Sequence, residues 1–441
     1  MSLRRSAAVL AVSAVLCAAT APLAAADESP SARPPAQKDL PSALYGGHDP
    51  QYDGVWRQSI ALLAQDAVGV TPAKKSVRWL AEQQCEDGAF ASYRADSSEP
   101  CTSKTLADVN ATAIAVQALA ALGGHDEQVE KAVDWLRLVQ NDDGGWGYGP
   151  GSPSDANSVS VVIGALVAAG EDPAKTLSAK EEKSPYDSLL DFQLGCDAEE
   201  DERGAFAYQP DEKGRLAAND DATAAAVLAA LGEDMAVEPG GKAGVEAGAL
   251  DCGGDGTSGK PDKRTPAEAA GGGAAYLTKV LEGNGGHLKS AMPGAEEQPD
   301  YGNTADAVIA LAAGGHRDVA KKSLAWLEKN APEWDKTTND PAALGQLVLA
   351  ARAVGSDPAA FGGVDLVERL NATGPRPEAV AADGKDGKSG QDGKSGKSAE
   401  DAEDEDGDSA LATWFTIGAV LVAGVGIGLL LSLRNKKRRS L

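Results

Sequence analysis

The sequence predicts an all-α fold, a closed double ring of alternating inner and outer helices, or (α/α)6 toroid. Three observations predict it: two kinds of helix alternate, their turns repeat, and one kind is too apolar to face water. DVNATAIAVQAL (108–119), DANSVSVVIGAL (155–166), DDATAAAVLAAL (220–231), YGNTADAVIAL (301–311) and a looser TTNDPAALGQLVLAA (337–351) form the first kind. Each begins with Asn or Asp beside a small residue and is then apolar nearly all round, as a helix buried on every side must be. The second kind, AKKSVRWLAEQQ (73–84), VEKAVDWLRLVQ (129–140), SPYDSLLDFQLG (184–195) and VAKKSLAWLEKN (319–330), has one apolar stripe and a charged face. Such helices belong to an outer layer. An open superhelix would leave the first kind exposed, so the ring is expected to close.

In chain order, residues 1–26 read as a secretion signal: Arg4 and Arg5, an apolar run from Ala7 to Leu16, and Ala24-Ala25-Ala26 as the cleavage site. An extended segment, 27–49, follows. Within the toroid (50–373), inner helices are expected to start near 54, 109, 156, 220, 302 and 339, and outer helices near 73, 129, 185, 266, 318 and 363. Short turns such as ALGGHDEQ and AAGGHRD join inner to outer helices, so partners run antiparallel. Residues 374–408, rich in Gly, Lys, Ser and acids, read as a solvated stalk. The uncharged ALATWFTIGAVLVAGVGIGLLLSL closes the segment 409–433 and would span about 36 Å as a helix, enough for one membrane crossing. RNKKRRS in the tail 434–441 is expected to stay cytoplasmic. The resulting expectation is a single-pass bacterial plasma-membrane protein whose toroid is extracellular.

Between signal and anchor, 34 Lys and Arg stand against 66 Asp and Glu, a balance of −32 that argues against nucleic acid as a partner. Four cysteines remain after cleavage, and an even number outside the cell points to disulfides, Cys85 with Cys101 and Cys196 with Cys252. No histidine falls at ligand spacing from them, so no metal is expected.

The stretch QNDDGGWGYG (140–149) ends an outer helix as Q-x-x-D-G-x-W. QCEDGAF (84–90) repeats it, RGAFAY (203–208) is a third copy after an insertion, and NGGHL (284–288) a degraded fourth. It lacks the alternating acids of a calcium loop and follows a helix where a phosphate loop follows a strand. It therefore reads as a turn in which a left-handed glycine ends the helix and the aromatic packs back onto it.

These copies resemble the QW repeat of the terpene cyclase and protein prenyltransferase superfamily, over roughly residues 50–370. The architecture is also similar to the vitamin B12 carriers of the intrinsic factor and transcobalamin family. The resemblance implies a toroid, and it offers cobalamin as a bound ligand rather than a cofactor.

The N-termini of parallel inner helices share one face with the longer loops. Asn110, Asn157, Asp221, Asn303 and Asn339 fall near those helix starts, where capping is the plain explanation and a ring of ligand-binding amides the functional one. Phe90, Trp146, Tyr148, Phe206 and Tyr208 hang from the same loops and are expected to add flat contacts. The first functional expectation is capture of a small-molecule ligand, a corrinoid first, or of a surface protein. The alternatives are a terpene cyclase-like enzyme, with Asp220 and Asp221 as its acids, and a carbohydrate-active enzyme drawing on Asp108, Asp155 and Asp220. Asn219-Asp220-Asp221 lacks the first aspartate of the cyclase D-x-D-D pattern. No catalytic residue is assigned outside those alternatives.

Overall fold

The computed structural model describes residues 40–240, 247–250, 252, 264–291, 295 and 297–379. Six inner helices, α1 (Gly54–Ala67), α3 (Val109–Leu122), α5 (Ala156–Ala168), α7 (Asp220–Ala230), α9 (Tyr301–Ala313) and α11 (Pro341–Val354), each pack on the next, and α11 packs on α1. That last contact closes the ring. Each inner helix is paired with the outer helix after it: α2 (Lys74–Glu82), α4 (Asp126–Leu138), α6 (Pro185–Asp191), α8 (Pro266–Gly283), α10 (Arg317–Asn330) and α12 (Leu366–Ala372). The expected (α/α)6 toroid is thus present among the described residues, with most helix starts within a few positions of those read from the sequence.

Five of the six inner helices begin where they do because a carboxylate or amide caps them; at the start of α1 the Asp53 side chain makes no capping bond. Asp108, Asp155, Asn219, Asp300 and Asp340 each accept a hydrogen bond from a backbone N–H of the first turn of α3, α5, α7, α9 and α11. Three caps are stitched to the preceding turn by a threonine. Thr112 accepts from Phe90 N and donates to Asp108 O; Thr223 does the same between Phe206 and Asn219, and Thr304 between Leu288 and Asp300. The chain therefore repeats cap, three residues, threonine, and that spacing fixes the turn against the next inner helix.

The glutamine of the repeated turn joins neighbouring hairpins. Gln140 Nε2 donates to Gly144 O (2.8 Å) in its own turn and to Thr176 O (3.3 Å) before the next outer helix. Gln84 bridges Gly88 and Gln128, and the buried Gln193 bridges Gly204 and Ala269. Gly144 has φ +87°, and a Cβ there would overlap the carbonyl oxygen of Ser184. The glycine is required by close approach to the next outer helix; it lies beyond the helix end, which is Leu138 in α4, and does not cap it as the sequence reading supposed. The aromatic does fold back: Trp146 Nε1 donates to Leu136 O at 2.8 Å.

Both expected disulfides are formed, Cys85–Cys101 with Cα atoms 5.6 Å apart and Cys196–Cys252 with 5.5 Å. The core reaches into the segment expected to be merely extended, since Leu44 and Tyr45 are buried and Tyr45 Oη donates to Gln65 and bonds Pro375 O. Residues at the head of the expected stalk also lie on the toroid, with Glu378 N donating to Thr71 O. No helix among the described residues is long and apolar enough to cross a membrane. The signal segment 1–26, most of the stalk, the anchor 409–433 and the tail 434–441 lie outside the described residues.

Candidate functional site

Along the ring axis lies a cavity of about 560 Å³, lined by the inward stripes of the inner helices. In α5 the stripe is Asn157, Ser160, Val161 and Gly164, and in α7 it is Asp221, Ala224, Ala225 and Leu228. Positions i, i+3, i+4 and i+7 share one helix face, so small residues along these stripes leave the axis open. At the inner-helix N-termini His48, Asp53, Gln298 and Lys336 from the loops line the cavity.

At the opposite end the chain builds a floor. Glu233, Asp234 and Met235, which follow α7, line the cavity there. Met235 N donates to Gln117 Oε1 (3.1 Å), and Gln117 Nε2 donates across to Val161 O (3.1 Å). Arg352 near the end of α11 donates to Ala67 O, Ala236 O and Val237 O, which ties this segment to α1 and α11. The result is a cup.

Two of the cup's carboxylates stand within inner helices rather than at their caps. Asp221 accepts from Asn157 Nδ2 at 2.7 Å, and Asp306 accepts from Gln346 Nε2 at 2.6 Å. Both show some surface to the cup yet lie deep in the protein, shielded from bulk water. Burial pushes Asp306 up to about 7; the Gln346 hydrogen bond opposes this, and the charges of Asp221 and Asp300 add to it. Burial pushes Asp221 up to about 6, opposed by Asn157 and reinforced by Asp300, Asp155 and Asp220. Asp300 is likewise raised by burial, with Lys336 pulling it back. Near the mouth, half-buried Trp56, Tyr301 and Trp334 line the wall, and the rings of Tyr301 and Trp334 stack with centroids 5.2 Å apart.

The sequence-predicted residues divide clearly. Asn110, Asn157, Asp221 and Asn303 all line the cup. Asn110, Asn157 and Asp221 stand two residues after their caps, so capping does not explain them. Asn110 Oδ1 is buried without a partner, as is Ser160 Oγ below it. Asn303 is one position further on, next to Thr304, and its amide turns back to Asp300. Asn339 is exposed and outside the cup, because Pro341 opens α11 and makes Asp340 the cap.

Phe90, Trp146 and Phe206 do not face a ligand: each is fully buried, as the stitched turns require. Tyr148 and Tyr208 are not cup-lining either, since their hydroxyls bond the capping carboxylates Asp108 and Asp155. Burial raises Asp108, and it pushes Asp155 up to about 6. These two caps, with Asp220 held by Tyr276 Oη at 2.7 Å, are outside the cup and form no carboxylate pair on it. Of the cyclase alternative only Asp221 reaches the cavity. No group of three metal-binding side chains occurs among the described residues.

Asp306, Gln346, Trp56, Trp334 and the floor were missed by sequence reasoning. Asp306 alone left a trace, as an aspartate inside α9 directly before the apolar AVIALAA run, where it is a poor helix former.

Residues 55–204, from α1 to the start of the third turn copy, match the prenyltransferase alpha-alpha toroid domain, so the resemblance to that superfamily holds over this part of the chain. Among solved structures the chain is similar to a protein from Actinoplanes (14% identity, 71% of this chain and 93% of that one, TM-score 0.44). It is also similar to a sugar epimerase from a ruminal bacterium (14%, 72% and 93%, TM-score 0.42). A third is the type II terpene cyclase MstE from Scytonema (15%, 68% and 98%, TM-score 0.30). No curated protein matches.

Proposed function

We propose that this protein binds a small molecule in the axial cup, admitted through the N-terminal rim of the ring. The observation that carries the reading is Asn110. Its side chain is released from capping and lines the cup, and its amide oxygen is buried without a partner. An unsatisfied buried polar atom costs about 1–3 kcal/mol, which a bound ligand would offset. A cavity of about 560 Å³ lies in the range typical of small-molecule sites. A complete corrinoid is bulkier than that, so cobalamin would lie across the rim with its amide edge toward Asn110, Asn157 and Asn303.

The test is ligand-observed NMR of the full-length chain with a fragment library and cobalamin, set against Ala225→Trp, which fills the cup. The expected result is a set of mutually competing binders that vanish in the plugged variant while its melting temperature holds. Binders indifferent to the plug would contradict the reading.

A second reading, an acid–base enzyme, draws on one arrangement: Asp306 and Asp221 line the same cavity, and burial pushes their carboxyls up to about 7 and about 6. Terpene-like and carbohydrate substrates are the classes to assay, and Asp306→Asn should then abolish turnover. The two disulfides support an oxidising compartment, and we place the cup outside the cell on a tether ending in the apolar 409–433 segment. Protease shaving of intact cells should release the toroid; full protection would oppose that placement.

A further inference from the structure

We propose that the ligand of this cup is a compact organic cation, a protonated amine on an apolar or aromatic body. The inference rests on the binding reading above and adds the charge and donor character of the ligand.

Among the described residues, seven carboxylates and one lysine line the cup. Most of the acids are already employed. Asp53 bonds Arg57 and His48, Asp300 and Asp340 cap helices, Asp234 accepts from Ala236 N, and Glu233 has an interaction of its own at the floor. Lys336 exerts its charge on Asp300 and lies 5.9 Å over the Trp334 ring. Asp221 and Asp306 are different: each takes one neutral amide donor, and neither forms an ion pair among the described residues. Two neighbouring carboxylates in such a place stay ionised only with a counter-charge beside them.

The remaining unpartnered atoms point the same way. Asn110 Oδ1 is a carbonyl oxygen, an acceptor only, and Ser160 Oγ can accept as well. Asn110 and Ser160 are 5% and 6% exposed, so they cannot turn to bulk water. The carboxylates ask for N–H donors bearing positive charge, the amide oxygen asks for a donor of either kind, and the Ser160 hydroxyl can donate or accept. An anion would meet the like charges of Asp221 and Asp306. Ala225, Leu228 and Ile309 offer the ligand's body an apolar seat, while Trp56, Tyr301 and Trp334 supply ring faces nearer the mouth.

The experiment is titration calorimetry of the purified full-length chain at pH 7.5 with three matched probes: phenethylamine, 2-phenylethanol and 3-phenylpropanoate. The amine should bind at least tenfold more tightly than the alcohol, with no uptake of the carboxylate. Asp306→Asn should weaken the amine tenfold or more and shrink the amine-to-alcohol ratio. Alcohol or carboxylate binding as strong as amine binding would overturn the cation inference and leave the cup as a binding site. Failure of all three to bind the wild type would count against both. The wild-type ratio decides the matter even if the variant folds poorly.

Discussion

Asp306→Asn should stabilise the ligand-free protein at neutral pH, and the pH dependence of that gain is the informative part. The carboxyl of Asp306 is raised from 3.8 to about 7. The folded state therefore keeps a proton that the unfolded chain releases, so stability falls as pH rises from about 4 to about 7 and is level above that. Three units at about 1.4 kcal/mol each set a ceiling of about 4 kcal/mol. Part of Asp306 faces a cup that water can enter, and screening there reduces the working figure to about 2 kcal/mol. Asparagine cannot ionise, keeps the shape and still accepts from Gln346. The variant should match the wild type at pH 4 and exceed it by about 2 kcal/mol at pH 8, a rise of a few degrees in melting temperature. Asp221 and Asp300 face the same space from α7 and α9 and Lys336 sits beyond Asp300, so the transition will be broad rather than that of one isolated group. Thermal and denaturant unfolding at both pH values measure the effect. A variant that gains nothing between pH 4 and pH 8 would refute the claim that this carboxylate is shielded and unpaired.

Further expectations concern the frame and the cup separately. Gln193→Ala removes the bridge from Gly204 to Ala269, and the two carbonyls left behind should cost about 2 kcal/mol in denaturant unfolding. Gly144→Ala forces a side chain into a positive-φ position against Ser184 and should cost about 2 kcal/mol or more. Asn110→Leu keeps the γ-branched shape, adds bulk toward the cup and removes the orphaned oxygen, so stability should hold or rise by about 1 kcal/mol while amine binding in calorimetry is lost. Amine binding should release protons below pH 7, because an entering cation ionises Asp306 and Asp221; calorimetric heats that do not vary with buffer ionisation enthalpy would contradict this.

The frame was legible because its signals are local. Asn or Asp at the helix starts, apolar runs behind them and the recurring glutamine turn each lie within a dozen residues, and they placed the helices and their order, although the caps themselves are Asp108 and Asp155 rather than Asn110 and Asn157. Cysteine parity pointed to two disulfides. The cup was only half legible. Asn110, Asn157 and Asp221 could be found because they recur at one position relative to the helix start. Asn339 was misplaced because Pro341 shifts the cap of α11 to Asp340. The buried aromatics were misjudged because loop position alone does not tell whether a ring turns inward, and the hydrogen bond of Trp146 to Leu136 holds it in the core. The partnership of Asp306 with Gln346 and the floor held by Gln117 and Arg352 join residues from distant helices, and only closure of the ring brings them together.

The most direct measurement is a crystal structure of the protein soaked with 4-bromophenethylamine, located by the anomalous signal of bromine. A bromine peak inside the ring beside Ala225, Leu228 or Ile309, with the amine nitrogen between Asp221 and Asp306, is the predicted result. Bromine only on the outer surface, above an unfilled axial cup, would contradict it.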